Sequence, residues 1–201
     1  MARRKALPVH MAKEEFAQQL AIVRPLQPRL CLEWGSGGST RALLAECRCI
    51  ERYVSIEHHR LWFERVRSMV QDRRLELYLR PPDPVYSCPT RWKSRIRAWD
   101  ARAELDPVIL ADYVAFPATL GIRFDFVLVD GRARRFCLRA GWELLHPGGL
   151  LILRDAQRPE YRDVLLSLGT PELLQPWTWG QLAVLRKAVA GSASVANAWR
   201  V

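Results

Sequence analysis

The chain lacks any apolar run near the roughly 20 residues that a membrane-spanning helix needs. Its basic start, Met1-Ala2-Arg3-Arg4-Lys5, is not followed by the apolar segment of a secretory signal. These two absences lead to the expectation of a cytoplasmic protein with no membrane partner. Cysteine is sparse and badly spaced for metal. Cys31, Cys47, Cys49, Cys88 and Cys137 are odd in number and fit no zinc pattern. Free, mostly structural thiols in a reducing compartment are the expectation. There is no internal repeat and no sign of a second core. The 201 residues therefore suit one domain over 1–188, followed by a flexible tail over 189–201 rich in Ala, Ser and Asn. Acids are few. Asp and Glu number 21 against 31 Lys and Arg, a net charge of +10. Much of the excess falls between Arg60 and Arg102, with eleven basic residues against five acids. Such a stretch reads either as a face for an anionic partner or as the solvated surface of an arginine-rich protein.

What is present is organised around Leu30-Cys31-Leu32-Glu33-Trp34-Gly35-Ser36-Gly37-Gly38-Ser39-Thr40. An apolar strand ends in an acid, then a glycine-rich turn, then a helix start. That arrangement leaves backbone N–H groups facing a crevice suited to a nucleotide-like ligand. Before it, Phe16, Leu20 and Val23 give helical spacing, ended by Pro25 and Pro28. After it, Tyr53–Glu57 and Leu75–Leu79 read as strands, with a helix over Leu61–Val70 between them. Phe124–Asp130 and Leu150–Leu153 are apolar on both faces, as central parallel strands are. Helices are expected over Phe136–Leu145, stopped by His146-Pro147-Gly148-Gly149, and over Glu160–Leu168. Leu173-Leu174 and Gln181–Leu185 are joined by Trp177-Thr178-Trp179-Gly180, too short for a crossover, so they form an antiparallel hairpin. The repeated strand–helix alternation predicts an α/β fold with a parallel sheet. Residues 81–120 break the rhythm and are expected to be an irregular insertion covering the crevice.

Three acids stand at strand ends: Glu57, Asp130 and Asp155. Glu57 lies 22 residues beyond Gly35, close to the ~20 expected of a carboxylate that grips ribose hydroxyls. A dinucleotide fingerprint would place glycine where Thr40 stands. It would also leave Glu33 beside a pyrophosphate. A ligand carrying a cationic group suits Glu33 better.

The stretches Leu32–Thr40, Val54-Ser55-Ile56-Glu57-His58, Val129–Arg134 and Pro147–Asp155 together resemble the class I S-adenosylmethionine-dependent methyltransferases. Within them the chain resembles a small group with a Gly-Ser-Gly-Gly-Ser-Thr turn. The resemblance implies a Rossmann-like, seven-stranded, mostly parallel sheet of order 3-2-1-4-5-7-6, strand 7 antiparallel, with helices on both faces. It implies S-adenosyl-L-methionine as cofactor. Glu33 and the Gly35–Gly37 backbone would hold its methionine part, with Trp34, Ser36, Gly38, Thr40 and Asp130 close by. Glu57 would hold the ribose, and the segment around Pro82-Asp83 would approach the adenine; separately, His58 or His59, next to Glu57, is a candidate to pack near the adenine or act at the site.

Methyl transfer asks mainly for placement, and an oxygen acceptor also asks for a base. Asp130 and Asp155 are the candidates. Arg132, Arg134 and Arg135 are candidates to hold an anionic substrate. Metal-dependent relatives would carry Asn after Asp155. Ala156 stands there and cannot ligate a hard cation, so no metal is expected. The expected activity is oxygen-directed methylation of a small molecule or glycan. A nucleic-acid acceptor, or a binding module without catalysis, is the alternative.

Overall fold

The structure, a computed structural model, describes residues 7–89, 92–178 and 180–189. The basic start before residue 7, Trp179 and residues 190–201 of the tail expected over 189–201 lie outside the described residues. Helix α1, Lys13–Leu26, carries Glu14 and Glu15 in its first turn, the favourable end for acids. Pro25 falls in its last turn, and the helix runs one residue past it before Gln27 turns left-handed.

Seven strands follow the order β3-β2-β1-β4-β5-β7-β6. They are β1 Leu30–Trp34, β2 Arg52–Glu57, β3 Leu75–Leu79, β4 Phe124–Val129, β5 Leu145–Leu153, β6 Glu172–Leu173 and β7 Ala183–Arg186. Strands β1 to β5 pair in parallel, and β7 runs antiparallel to both β5 and β6. The expected order and hairpin are therefore present.

The two-residue alternation of strands divides the core into two layers. Leu32, Trp34, Val54, Ile56, Val127 and Val129 face one side. There they meet α4 (Lys93–Leu105), α5 (Ala111–Ala115), α6 (Arg134–Leu144) and α7 (Arg162–Leu168). Cys31, Tyr53, Phe126, Leu128, Leu150 and Ile152 face the other side. That layer holds α1, α2 (Gly38–Glu46) and α3 (Arg60–Met69).

Two expectations are corrected. The segment His146-Pro147-Gly148-Gly149 does not only stop a helix; it belongs to β5, which starts at Leu145. The pairing jumps from Phe124↔Leu145 to Phe126↔Leu150, so the extra residues are absorbed as an irregularity beside β4. Residues 81–120 are not irregular throughout. Helix α4 buries Trp99 and Ala103 and half-buries Ile96, which recur at i, i+3 and i+7 within a charged sequence. Among the described residues no helix is long and apolar enough to cross a membrane.

Candidate active site

The turn after β1 rests on the turn after β4. Gly35 has φ +95°, and its N–H donates to the Ile56 carbonyl at 2.9 Å. A Cβ there would lie 2.6 Å from the Gly131 Cα and N. Only glycine satisfies both the backbone angle and this approach. Helix α2 then begins. Its Gly37 N–H donates to Thr40 Oγ1 at 2.8 Å, and that hydroxyl donates onward to Glu33 Oε2 at 2.6 Å. Ser55 Oγ donates to the same oxygen at 2.8 Å, and Ser39 Oγ to Oε1 at 3.2 Å.

Glu33 is fully buried, and burial pushes its pKa up to about 8 against these hydrogen bonds. It braces the turn from beneath and does not line the crevice. Trp34 is likewise buried, its indole N–H donating to the Tyr113 carbonyl at 2.9 Å. Thr40 is buried too. The sequence places these three beside the cofactor. The structure buries all three: Glu33 and Trp34 point from β1 into the two layers, and Thr40, in the first turn of α2, is bonded to Glu33.

A cavity of about 540 Å³ opens above the turn. Gly35, Ser36, Gly37, Gly38, Glu57, His58 and Asp130 of the expected set line it. Glu57 Oε1 accepts the backbone N–H groups of His58 and His59 at 2.9 and 2.8 Å, and Oε2 accepts Ser36 Oγ at 3.1 Å. Burial raises its pKa, but His58 and these hydrogen bonds outweigh burial and leave the carboxyl below its usual range. A charged acceptor is thus held at the rim. The His58 ring stacks on Trp99 of α4, with centroids 5.9 Å apart and an 11° tilt. Trp62 forms another wall and anchors it by donating to the Ser36 carbonyl at 2.6 Å.

Asp130 and Asp155 are tied to arginines. Buried Arg134 donates to Asp155 Oδ2 at 2.8 Å and to the Gly131 and Arg154 carbonyls at 2.9 and 2.7 Å. Asp130 lies 3.4 Å from Arg134 and 3.3 Å from Arg154. Burial raises the Asp130 pKa more than the two arginines lower it. For Asp155, burial is outweighed by Arg134, Arg154 and Arg158, and the carboxyl stays below its usual range. Asp155 does not line the cavity. Arg132 makes a two-point pair with Asp100 at 2.8 and 3.1 Å, and Arg135 pairs with Asp163 at 2.6 Å. The three guanidinium groups expected to hold an anionic substrate thus each have a carboxylate partner within the fold, while Arg132 and Arg134 also line the cavity.

The sequence reading also missed a strap. Residues 7–10 cross the turn so closely that a Cβ on Gly38 would lie 2.2 Å from the Pro8 carbonyl oxygen. Arg154 donates to the His10 carbonyl and reaches Glu15 of α1 at 3.4 Å, fixing the strap, and His10 lines the cavity. No local motif signals these contacts across the chain. Among the described residues no cluster of three or more His, Cys, Asp or Glu is placed to hold a metal ion.

No protein-family model matches the chain, and no curated protein is similar to it in sequence. Solved structures are similar in fold. One is a methyltransferase-like protein from Silicibacter pomeroyi, at 20% identity and a TM-score of 0.58 over 92% of this chain and 91% of that one. Another is an O-methyltransferase from Bacillus cereus in complex with SAH, at 16% identity and 0.62 over 90% and 84%. A third is the T. thermophilus 16S rRNA N2 G1207 methyltransferase with AdoMet and guanosine, at 14% identity and 0.59 over 90% and 44%. The fold is that of the class I S-adenosylmethionine-dependent methyltransferases.

Proposed function

We propose that this chain is an S-adenosylmethionine-dependent methyltransferase. The observation that carries the reading is the pairing, in one cavity, of the glycine turn with a Glu57 carboxylate held ionised 22 residues beyond Gly35. The residues fit the cofactor. A Cβ at Gly37 would meet only Trp62, at 3.8 Å, so the turn leaves room for close approach of a ligand. Glu57 Oε2 has Ser36 as its protein partner and keeps acceptor capacity for ribose hydroxyls. His58 and Trp99 offer flat faces for the adenine.

Bound S-adenosylmethionine supplies a methyl group already activated by its sulfonium, so the protein's task is orientation. Asp130 lines the cavity, and its raised pKa makes it the better of the two acids to accept a proton from a hydroxyl acceptor. Asp155, bonded to Arg134 outside the cavity, is assigned a positioning role. Residues 81–120 act as the cover, with Ile96 and Trp99 over the site. The reading includes a cytoplasmic location and oxygen-directed transfer to a small molecule or glycan. A nucleic-acid acceptor is the second reading, favoured by cations at the cavity mouth.

Titration calorimetry of the purified chain with S-adenosylhomocysteine tests the cofactor. Binding with one site per chain is expected, and no heat at millimolar ligand overturns the proposal. Transfer of a labelled methyl group to cell extract tests catalysis; a chain that binds but labels nothing is a binding module.

A further inference from the structure

Ion pairing sorts the basic stretch. Arg67 pairs with Glu64, Arg74 with Asp72, Arg80 with Asp112 and Arg102 with Asp106. Among the described residues between Arg60 and Arg102, Arg60, Arg65, Arg73, Lys93, Arg95 and Arg97 make no ion pair. Five of these six stand on the first two turns of α3 and α4. Those two helices also wall the cavity, through Leu61, Trp62, Ile96 and Trp99. Five unpaired cations therefore stand on the two helices that wall the cavity.

Neither helix carries an acid in its first turn. Cations there face the positive end of the helix dipole, an unfavourable arrangement that an external anion would offset. The Arg65 guanidinium lies 5.3 Å over the Trp62 ring. Trp92, immediately before α4, is 72% exposed and holds φ +67°, a conformation bulky residues rarely adopt. Arg97 also lines a second cavity of about 420 Å³, which shares Asp100 and Arg132 with the first.

We propose that the cavity mouth binds single-stranded nucleic acid, with phosphates on Arg60, Arg65, Lys93, Arg95 and Arg97 and a base stacked on Trp92. Unpaired cations next to an exposed aromatic face are what a strand with unstacked bases uses. A sulfated glycan supplies anions but no aromatic face for Trp92, and a duplex keeps its base faces covered. This takes up the second reading of the acceptor in place of the small molecule or glycan, and it rests on the proposed function only for methyl transfer, not for binding.

The test is fluorescence anisotropy with labelled oligouridylate, oligodeoxythymidylate, a duplex and a heparin-derived oligosaccharide. Each phosphate contact contributes roughly 0.7 to the slope of log affinity against log salt, so five contacts give about −3.5. That slope means about 100-fold weaker binding of the single strands at ~200 mM than at ~50 mM salt. The triple variant Lys93→Ala, Arg95→Ala, Arg97→Ala should flatten the slope by about 2 units. Trp92→Ala should weaken binding by roughly tenfold and leave the slope unchanged. No binding of either single strand at ~50 mM salt, a slope untouched by the triple variant, or tighter binding of the oligosaccharide or duplex would overturn the inference. Both variants should bind S-adenosylhomocysteine as the parent does. If the parent binds single strands with these signatures but not S-adenosylhomocysteine, the proposed activity fails and the docking surface stands.

Discussion

Substituting Glu33→Gln separates two roles for the acid beneath the turn. A carboxylate that grips the cofactor's amino group must be charged and exposed to it. The structure instead buries Glu33 among Ser39, Ser55 and Thr40 and raises its pKa from 4.5 to about 8. The sign follows from proton binding. Between those values the folded chain holds a proton that the unfolded chain has released, so stability is full below pH 4.5 and falls as pH rises toward 8. At roughly 1.4 kcal/mol per unit, the fall is on the order of 3–5 kcal/mol. Glutamine mimics the protonated acid. Its carbonyl can accept from Thr40 and Ser55 while its amide donates to Ser39, so all three contacts survive. Urea unfolding of both proteins from pH 5 to 8.5 is the assay. The parent should lose stability relative to Glu33→Gln across that range, and the variant should be at least as stable above pH 7.5. Affinity for S-adenosylhomocysteine should stay within about threefold, since no buried contact is lost. Parallel stability curves, or a loss of more than about tenfold in affinity with the fold intact, would refute the reasoning.

Glu57→Ala should weaken S-adenosylhomocysteine by roughly 10- to 100-fold in calorimetry, the scale of a lost hydrogen bond to a charged group; unchanged affinity would remove Glu57 from the cofactor site. Gly35→Ala combines a forbidden backbone angle with a 2.6 Å approach to Gly131. It should cost about 2–4 kcal/mol in urea unfolding, and an unchanged midpoint would show that the turn relaxes freely. Arg134→Met leaves Asp130 and Asp155 buried against less charge and should cost about 3–5 kcal/mol at neutral pH. Acid should return part of that loss, because protonating the carboxyls removes the unmatched charge; a loss equal at pH 5 and pH 8 would argue against the charge explanation.

The sheet was legible because its signals are local. Two-faced apolar runs such as Phe124–Val129 mark buried strands, and the short 174–181 connection dictates an antiparallel pair. The position of Glu57 at the cavity was legible for the same reason, since spacing from Gly35 and position at a strand end both lie within one βαβ unit. Glu33 was misread. Its spacing to the glycine turn is right, but its side-chain direction depends on which layer the strand turns it toward, and Ser55, on another strand, claims it. The partners of Arg132, Arg134 and Arg135 were hidden similarly, because Asp100, Asp155 and Asp163 lie 21 to 32 residues away. Helix α4 hid behind its charge. Three inward residues at helical spacing suffice when the rest of the helix faces water.

The strap across Gly38 joins the two ends of synthesis. His10 waits for Arg154, which leaves the ribosome 144 residues later, and Glu15 waits for the same side chain. Contacts so distant along the chain must close a long loop before they reward it. The glycine turn, β1 and β2 can assemble from nearby sequence well before that. The residues made first among those that touch the cavity are thus among the last to find their seat, and until β5 is complete the turn they cross stays uncovered.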